Sequence, residues 1–390
     1  MNRNRLIPEL RFPEFANEKE WEEKTLDKVV DDFIVPMRDK PKKLDGDIPW
    51  CRIEDFNGMY LSVSKSKQGV SLETIKEMNL KVYPVNTLLV SCSADLGRCA
   101  ITANELITNQ TFIGLVPDIK KVNTIYLYYV MTNSRNELNA RSSGTTISYL
   151  SRQQFEKFEI LLPKLKEQQK IASCLSSLDE LIATHSQKLD VLKEHKKGLM
   201  QNLFPQEGET VPKYRFPEFV GDRNWVEKSF EQLFEIGNGR DYKHLSKGNI
   251  PVYGSGGYML SVNDYLYDGE SVCIGRKGTI DKPMFLTGKF WTVDTLFYTH
   301  SFNDCVPIFI YYIFQNINWR SHNEAGGVPS LSKTNLYKIE VFIPKPKEQQ
   351  KIASCLSSID ELITAQGAKI EQLKLHKKGL MQGLFPKVNN

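Results

Sequence analysis

The sequence predicts a mixed α/β (α+β) protein in which a long antiparallel two-helix coiled coil separates two globular domains. Three observations give this prediction: a long internal repeat, a heptad pattern inside it, and divergent segments before each copy. The duplication indicates one module present twice, related by a pseudo-twofold axis. The predicted boundaries are 1–162 for the first domain, 163–205 for its helix, 206–214 for a linker, 215–343 for the second domain, and 344–390 for the second helix and tail.

The internal repeat relates residues 163–205 to residues 344–386, which are 43 residues long and identical at 31 positions. A shorter repeat opens each half with the same pentapeptide and a tryptophan, namely Arg11 to Phe15 with Trp21 and Arg215 to Phe219 with Trp225. Two copies at so long a period do not make a solenoid. Near-identical shared segments beside divergent ones indicate common mechanics with different specificities.

Apolar residues inside each long repeat alternate at spacings of three and four, which is typical of a coiled-coil seam. The seam positions are Ile171, Leu175, Leu178, Ile182, Leu189 and Leu192 in the first copy, and Ile352, Leu356, Ile359, Ile363, Ile370 and Leu373 in the second. Such a seam needs a partner, so we predict helices over 165–203 and 346–384 that pack against each other. The pseudo-twofold axis, perpendicular to the seam, makes the pair antiparallel. Residues 167–203 would span about 55 Å at ~1.5 Å per residue. That length equals roughly 16 base pairs of double-stranded DNA at ~3.4 Å each, so the helices could act as a spacer between the two globular domains.

Polar residues interrupt the seam at equivalent positions in the two copies. His185 and Gln366 either relax the seam near its middle or set its register. The run His195-Lys196-Lys197 returns at 376–378. It indicates either a solvated helix end favoured by the helix dipole or a contact with phosphate or a partner protein.

The divergent segments, 20–162 and 224–343, mix short β-rich runs such as 87–90 and 271–274 with glycine turns. Helices are expected at 124–139 and 306–318. Arginine, asparagine and glutamine can pair with base edges, while serine and threonine suit phosphates. The candidate DNA contacts are Ser91, Ser93, Arg98, Asn109, Gln110, Arg141, Thr145 and Thr146 in the first segment, and Arg276, Lys277, Asp294 and Thr295 in the second. Each of them, taken singly, also fits a solvated loop residue.

The composition narrows the class of protein. A formal net charge of +4 permits DNA binding without requiring it. Seven cysteines with no CxxC pair predict reduced thiols instead of disulfides or a zinc site. No apolar run approaches the ~18 residues of a membrane span, and the first residues lack the apolar core of a secretory signal. We therefore expect a cytoplasmic protein without membrane contact.

Known catalytic patterns are missing from the sequence. It contains no GxxxxGK[ST] phosphate loop, no HExxH metal site, no GxSxG elbow and no Asn/Asp-Pro-Pro-aromatic motif. Residues 117–120, Pro-Asp-Ile-Lys, faintly resemble a nuclease carboxylate–lysine pair, but a loop is favoured. The sequence thus predicts a chain with no catalytic site, metal or cofactor of its own.

The duplicated motifs resemble those of the specificity subunits of type I restriction–modification enzymes. They are Glu167-Gln168-Gln169-Lys170-Ile171-Ala172 with its copy at 348–353, Lys196-Lys197-Gly198-Leu199-Met200-Gln201 to Phe204-Pro205 with its copy at 377–386, and the stretches 47–50, 250–257 and 274–278. Together, in duplicate and in this order, these motifs cover nearly the whole chain.

The resemblance implies two target-recognition domains, each reading half of a bipartite double-stranded DNA target. It also implies two methyltransferase subunits docked on the helices, which bind S-adenosylmethionine and methylate adenine. Restriction subunits that use ATP and magnesium would join through those methyltransferases. Two other classes stay open: a structural scaffold built on a coiled coil, and a stand-alone DNA binder that dimerises without enzymatic partners.

Overall fold

The computed structural model describes residues 6–36, 40–93, 95–142, 149–206 and 208–386. The chain divides into two compact units. The first combines Met1–His185 with Lys369–Asn390, and the second is Ser186–Ala368. Each long helix is therefore shared between both units, whereas the sequence-based boundaries gave each helix a domain of its own.

The first unit contains a globular part, here called head 1, and portions of two long helices. Its strands are β1 (Glu22–Thr25), β2 (Val30–Ile34), β3 (Ile48–Cys51), β4 (Tyr60–Leu61), β5 (Gly69–Val70), β6 (Leu88–Ser91), β7 (Cys99–Thr102), β8 (Ile107–Thr108), β9 (Phe112–Pro117) and β10 (Glu159–Leu162). The helices are α1 (Leu72–Glu77), α2 (Thr124–Asn133), α3 (Arg135–Arg141), α4 (Arg152–Glu156) and the long α5 (Leu165–Leu203). The sheets have the orders β2-β9-β6-β7-β4, β5-β3-β8 and β1-β10.

The second unit contains head 2, which is built in the same way. Its strands are β11 (Val226–Ser229), β12 (Glu235–Asn238), β13 (Lys247–Gly254), β14 (Gly257–Val262), β15 (Tyr267–Asp268), β16 (Ser271–Gly275), β17 (Met284–Leu286), β18 (Lys289–Thr292), β19 (Leu296–His300) and β20 (Glu340–Ile343). The helices are α6 (Phe230–Leu233), α7 (Pro307–Asn316), α8 (Lys333–Tyr337) and the long α9 (Pro346–Leu384). The sheets have the orders β12-β19-β16-β17, β14-β13-β18-β15 and β11-β20. This architecture confirms the mixed α/β class with two heads and two long helices.

The predicted helix over 124–139 is divided in the structure. The side chain of Asn123 caps α2 by accepting a hydrogen bond from the N–H of Tyr126 at 2.9 Å. The helix then stops at Ser134, which serves both as the C-cap of α2 and as the N-cap of α3. In head 2 the predicted helix over 306–318 is shorter than expected, since α7 ends at Asn316. The apolar and aromatic pattern located both helices and the start of α2, but not the residues at which the helices stop.

Each unit by itself shows that the long helices run antiparallel. In the first unit, Ile171 and Leu175 from the start of α5 share a core with Leu384 from the end of α9. In the second unit, Leu203 from the end of α5 shares a core with Ile352 from the start of α9. The predicted bounds, 165–203 and 346–384, and the antiparallel direction are confirmed.

A buried ion pair fastens head 1 to α5. Arg11 donates from Nε and Nη2 to the two carboxylate oxygens of Glu167 at 2.8 and 2.7 Å, and Trp21 Nε1 donates to the same carboxylate at 3.3 Å. The side chains of Arg11 and Glu167 are 8% and 2% exposed. The hydrogen bond from Arg11 to Glu167 raises the pKa of Arg11 above its ordinary value. We call this set of contacts the helix anchor.

Head 2 has the same helix anchor on α9. Arg215 binds Glu348 through two contacts of 2.7 Å, and Trp225 Nε1 donates to Glu348 at 3.3 Å. The next residue in each repeat, a glutamine, extends the anchor to the head. Gln168 accepts from the N–H of Asn123 at 2.9 Å. Its counterpart Gln349 accepts from a backbone N–H of head 2 at 2.8 Å. The Glu-Gln pair of the repeated motif is therefore structural.

A second contact joins the two long helices and a head within each unit. In the first, Lys377 of α9 donates to Asp179 of α5 at 2.6 Å, and the hydroxyl of Tyr129 donates to the same carboxylate at 2.7 Å. Burial, followed by the hydrogen bond to Asp179, raises the pKa of Tyr129. The Lys377 ammonium also lies 5.2 Å from the centre of the Tyr129 ring.

The second unit repeats this contact with Lys196, Asp360 and Tyr312. Lys196 Nζ lies 2.7 Å from Asp360 Oδ1, and the Tyr312 hydroxyl donates to Asp360 Oδ2 at 2.9 Å. Lys196 and Lys377 are therefore engaged within the chain, whereas His195 and Lys197 of the same run are exposed, and for them a solvated helix end and a phosphate or partner contact both stay predictions. Each of the two engaged lysines is only partly exposed, because it neutralises an aspartate of the other helix.

Candidate nucleic-acid interface

The candidate interface lies at the end of each main sheet that points away from the helix anchor. In head 1, β9 begins at Phe112, beside Ser91, and ends at Pro117. The chain then reaches Asn123, which binds the anchor glutamine of α5. At ~3.3 Å per residue, the two ends of β9 lie about 17 Å apart. Loops at the Phe112 end are therefore held by the sheet while staying remote from the helix.

Three segments of head 1 meet at this end and bind one another through the backbone. The N–H of Cys92 donates to the carbonyl of Thr111 at 2.9 Å, and the N–H of Leu150 donates to the carbonyl of Cys92 at 2.9 Å. Head 2 forms the same pattern. Its two bonds are Arg276 N–H to Thr295 carbonyl at 2.8 Å, and Leu331 N–H to Arg276 carbonyl at 2.9 Å. We call these converging segments the loop platform of each head.

The candidates of head 2 come together on its loop platform. Arg276, Lys277 and Asp294 are exposed, and Thr295 is half-buried. The N–H groups of Arg276 and Lys277 both donate to the carbonyl of Thr295, at 2.8 and 3.3 Å. Lys277 also pairs with Ser330 in an isolated β-bridge. Two cations thus stand at a fixed place on the surface, as a phosphate-binding or base-reading site needs.

The candidates of head 1 are less uniform. Ser91 is fully buried, and its hydroxyl donates to the carbonyl of Ser93 at 2.8 Å. Ser91 therefore supports the loop and has no surface to offer a base, so its selection as a DNA contact is corrected. Arg98 donates to the carbonyl of Phe56 at 2.7 Å and lies 5.9 Å from that ring. Much of its guanidinium is thus used within the head.

The remaining candidates of head 1 differ in their accessibility. Ser93 is half-buried and Gln110 is exposed on the loop platform. Asn109 is half-buried and accepts a 2.6 Å hydrogen bond from the hydroxyl of Thr111. Arg141 is exposed and donates to Glu137 at 2.6 Å. Thr145 and Thr146 lie outside the described residues. Contact of the accessible candidates with DNA stays a prediction.

The residues that the structure describes lack two kinds of feature. They contain no group of three or more histidine, cysteine, aspartate or glutamate side chains that could hold a metal ion. Nor does any helix within those ranges have the length and apolar character needed to cross a membrane.

Two anchored heads with one fold and different loop platforms define a protein of duplicated recognition modules on paired helices. Comparison with known proteins then gives the family. The model of the type I restriction modification DNA specificity domain matches residues 18–194 and 222–375. Because these matches cover most of the sequence, the chain belongs to this family.

Individual relatives agree with this assignment. The chain is 32% identical over 264 residues to the MjaIX specificity subunit of Methanocaldococcus jannaschii, which covers 60% of each chain. It is 24% identical to the MjaVIII specificity subunit of the same organism, over 95% of this chain and 96% of that one. A crystal structure of the S subunit of a type I restriction–modification system from M. genitalium superposes with a TM-score of 0.70 at 17% identity, covering 98% of this chain and all of that one. That likeness shows the shared fold.

Proposed function

We propose that this chain is the sequence-reading subunit of a type I restriction–modification complex and that each head reads one half of a bipartite DNA target. The observation that carries the proposal is the contrast between the two repeated parts. The helix anchors are the same in both heads, down to contacts of 2.7 to 3.3 Å. The loop platforms differ in sequence while keeping one backbone pattern. Two heads that are attached to the helices in the same way but carry different loops suit recognition of two different DNA sequences.

The proposal gives the chemistry to partner subunits. Two methyltransferase subunits would bind the helices, take up S-adenosylmethionine and methylate adenine, and restriction subunits would use ATP and magnesium. Support comes from the family membership and from the absence of catalytic motifs in the sequence. The purified chain should therefore neither methylate nor cleave DNA with any of these cofactors. Adenine methylation by the chain alone would contradict this part of the proposal.

The direct test is to map methylated adenines across a genome in cells that carry the chain with its methyltransferase subunit. We expect one bipartite sequence with a fixed unread spacer. Exchange of residues 20–162 for the corresponding head of another family member should change one half of that sequence and leave the other half intact, because base readout depends on local side chains. A simultaneous change of both halves would rule out independent heads.

A pull-down separates this proposal from a stand-alone DNA binder. The full chain, tagged at one end, should retain the methyltransferase subunit through a salt wash that removes DNA. A chain that selects a DNA sequence but retains no methyltransferase would favour the stand-alone class.

A further inference from the structure

The loop platform of head 2 carries a hairpin tip that projects into open space. Strands β13 and β14 pair Tyr253 with Tyr258 and Gly254 with Gly257. Gly257 adopts a φ of +112°, which favours glycine, and a Cβ atom at either Gly256 or Gly257 would meet nothing within 4 Å. The tip therefore has room around it for a ligand.

The hairpin rests directly on the loop that holds the two cations. The Ser255 Cβ lies 3.2 Å from where a Cβ on Gly275 would be, and its Oγ lies 3.4 Å from the same point on Gly278. Arg276 and Lys277 occupy the positions between those two glycines. The tip and the cations thus form one continuous surface, defined here as the reading surface of head 2.

Two large side chains on this hairpin are exposed. Tyr258 is 62% exposed and Met259 is 49% exposed. The hydroxyl of Tyr258 lies 3.1 Å from Ser261 Oγ, and its ring stands edge-on to Tyr253, with the ring centres 6.2 Å apart. Met259 Sδ lies 2.9 Å from where a Cβ on Gly254 would be. Both side chains are thus held in place while keeping their apolar surface towards solvent.

We propose that Tyr258 and Met259, which lie on opposite faces of the hairpin, each make apolar contact with a different thymine C5 methyl group in the major groove of the half-site read by head 2. Arg276 and Lys277 bind the neighbouring phosphates. The methyl group is the apolar feature that marks thymine in that groove, and a thioether adapts its shape to such a contact. Cations beside the tip would fix its position on the backbone. This inference rests on the proposed function.

Head 1 has a different element at the equivalent place. Trp50 and Cys51 of β3 run parallel to β8, as Val252 and Tyr253 of β13 run parallel to β18. After Cys51 the chain enters a short 3-10 turn, Ile53–Asp55, in place of a hairpin tip. The two heads therefore present different side chains from the same position of the fold, and thymine contact by Tyr258 and Met259 belongs to one half-site.

The test uses the full chain, purified with its methyltransferase subunit, and a randomised pool of double-stranded DNA. Met259→Ala and Tyr258→Ala are compared with wild type and with Val220→Ala, a control residue of the same unit that is 66% exposed outside the reading surface. We expect each hairpin variant to show a preference for thymine that is reduced about fourfold at one or two positions of one half-site. That factor corresponds to ~0.8 kcal/mol for one methyl-sized group. The other half-site, and the melting temperature, should not change.

A second arm removes the methyl group from the DNA. Deoxyuridine in place of thymine at the position affected by Met259→Ala should weaken wild-type binding about fourfold and leave Met259→Ala binding unchanged, and the same should hold for Tyr258→Ala at its own position. Unaltered preferences in both variants, a uniform loss across all sequences, or a changed preference for a base other than thymine would each overturn the inference. A wild-type complex that selects no bipartite sequence would overturn the proposed function as well, so the two failures are distinguishable.

Discussion

Replacing Glu167 by glutamine tests whether the helix anchor holds head 1 in place. The substitution leaves the Arg11 guanidinium, 8% exposed, without the carboxylate that accepts two of its hydrogen bonds. Breaking a buried ion pair by removing one partner costs about 3–5 kcal/mol. Since glutamine can still accept one hydrogen bond, we expect about 3 kcal/mol. For a unit of this size that loss lowers the melting temperature by roughly 6–12 °C.

The assay is thermal and urea unfolding of the full chain, followed by tryptophan fluorescence. Lys170→Gln is the matched control, because Lys170 lies in the same repeated motif and pairs with Glu14 on the surface, where the two side chains are 50% and 47% exposed. An exposed pair contributes about 1 kcal/mol at most. Glu348→Gln should reproduce the effect in the second unit. A loss for Glu167→Gln no larger than that for Lys170→Gln would refute the reasoning.

Three further predictions concern the helices and the core. Lys377→Met should lower the free energy of unfolding by about 1 kcal/mol, since it leaves Asp179 without its cation at a partly exposed site, and chemical denaturation would measure this. Four residues inserted after Gln187, together with four after Ala368, should lengthen both helices by about 6 Å. Methylation maps should then show an unread spacer that is one or two base pairs longer. An unchanged spacer with full methylation would show that the helices do not set the spacer length. Burial raises the pKa of the Cys92 thiol to about 11, while an unfolded thiol titrates near ~8.5. The stability that the protonated Cys92 thiol contributes is therefore complete below about pH 8.5 and is lost as the pH rises towards 11. Melting curves recorded at pH 8 and pH 10 would show this decrease.

Much of the helical architecture could be read from the sequence, because a heptad seam specifies both a helix and a partner surface. The helices α5 and α9 followed from Ile171, Leu175 and their repeats, and the antiparallel direction followed from the pseudo-twofold axis that relates the two copies. The helix anchor did not follow, although its signal was present: Arg11, Trp21 and Glu167 recur together in each half. What joins them is a tertiary contact between distant residues, and one sequence does not show which repeated residues touch.

The loop platforms were only partly predictable. Residue chemistry selected Arg276, Lys277 and Thr295, which lie together, but it also selected Ser91, which is buried. The sequence could not separate a serine at the end of a strand from one in an exposed loop, because both precede a polar run. The hairpin with Tyr258 and Met259 could not be found by residue chemistry of this kind, because that chemistry selects polar side chains alone.

The division of the chain into its two units has a consequence for synthesis on the ribosome. Residues 186–368 form the second unit without interruption, whereas the first unit requires residues 369–386 as well. Leu384 and Phe385 fill the core of head 1, and Phe385 meets Trp21 edge-on with ring centres 6.4 Å apart. The head translated first is thus the last to be closed. Until the last helix has been synthesised, the core of head 1 lacks Leu384 and Phe385, and the apolar surface that they cover stays open to water.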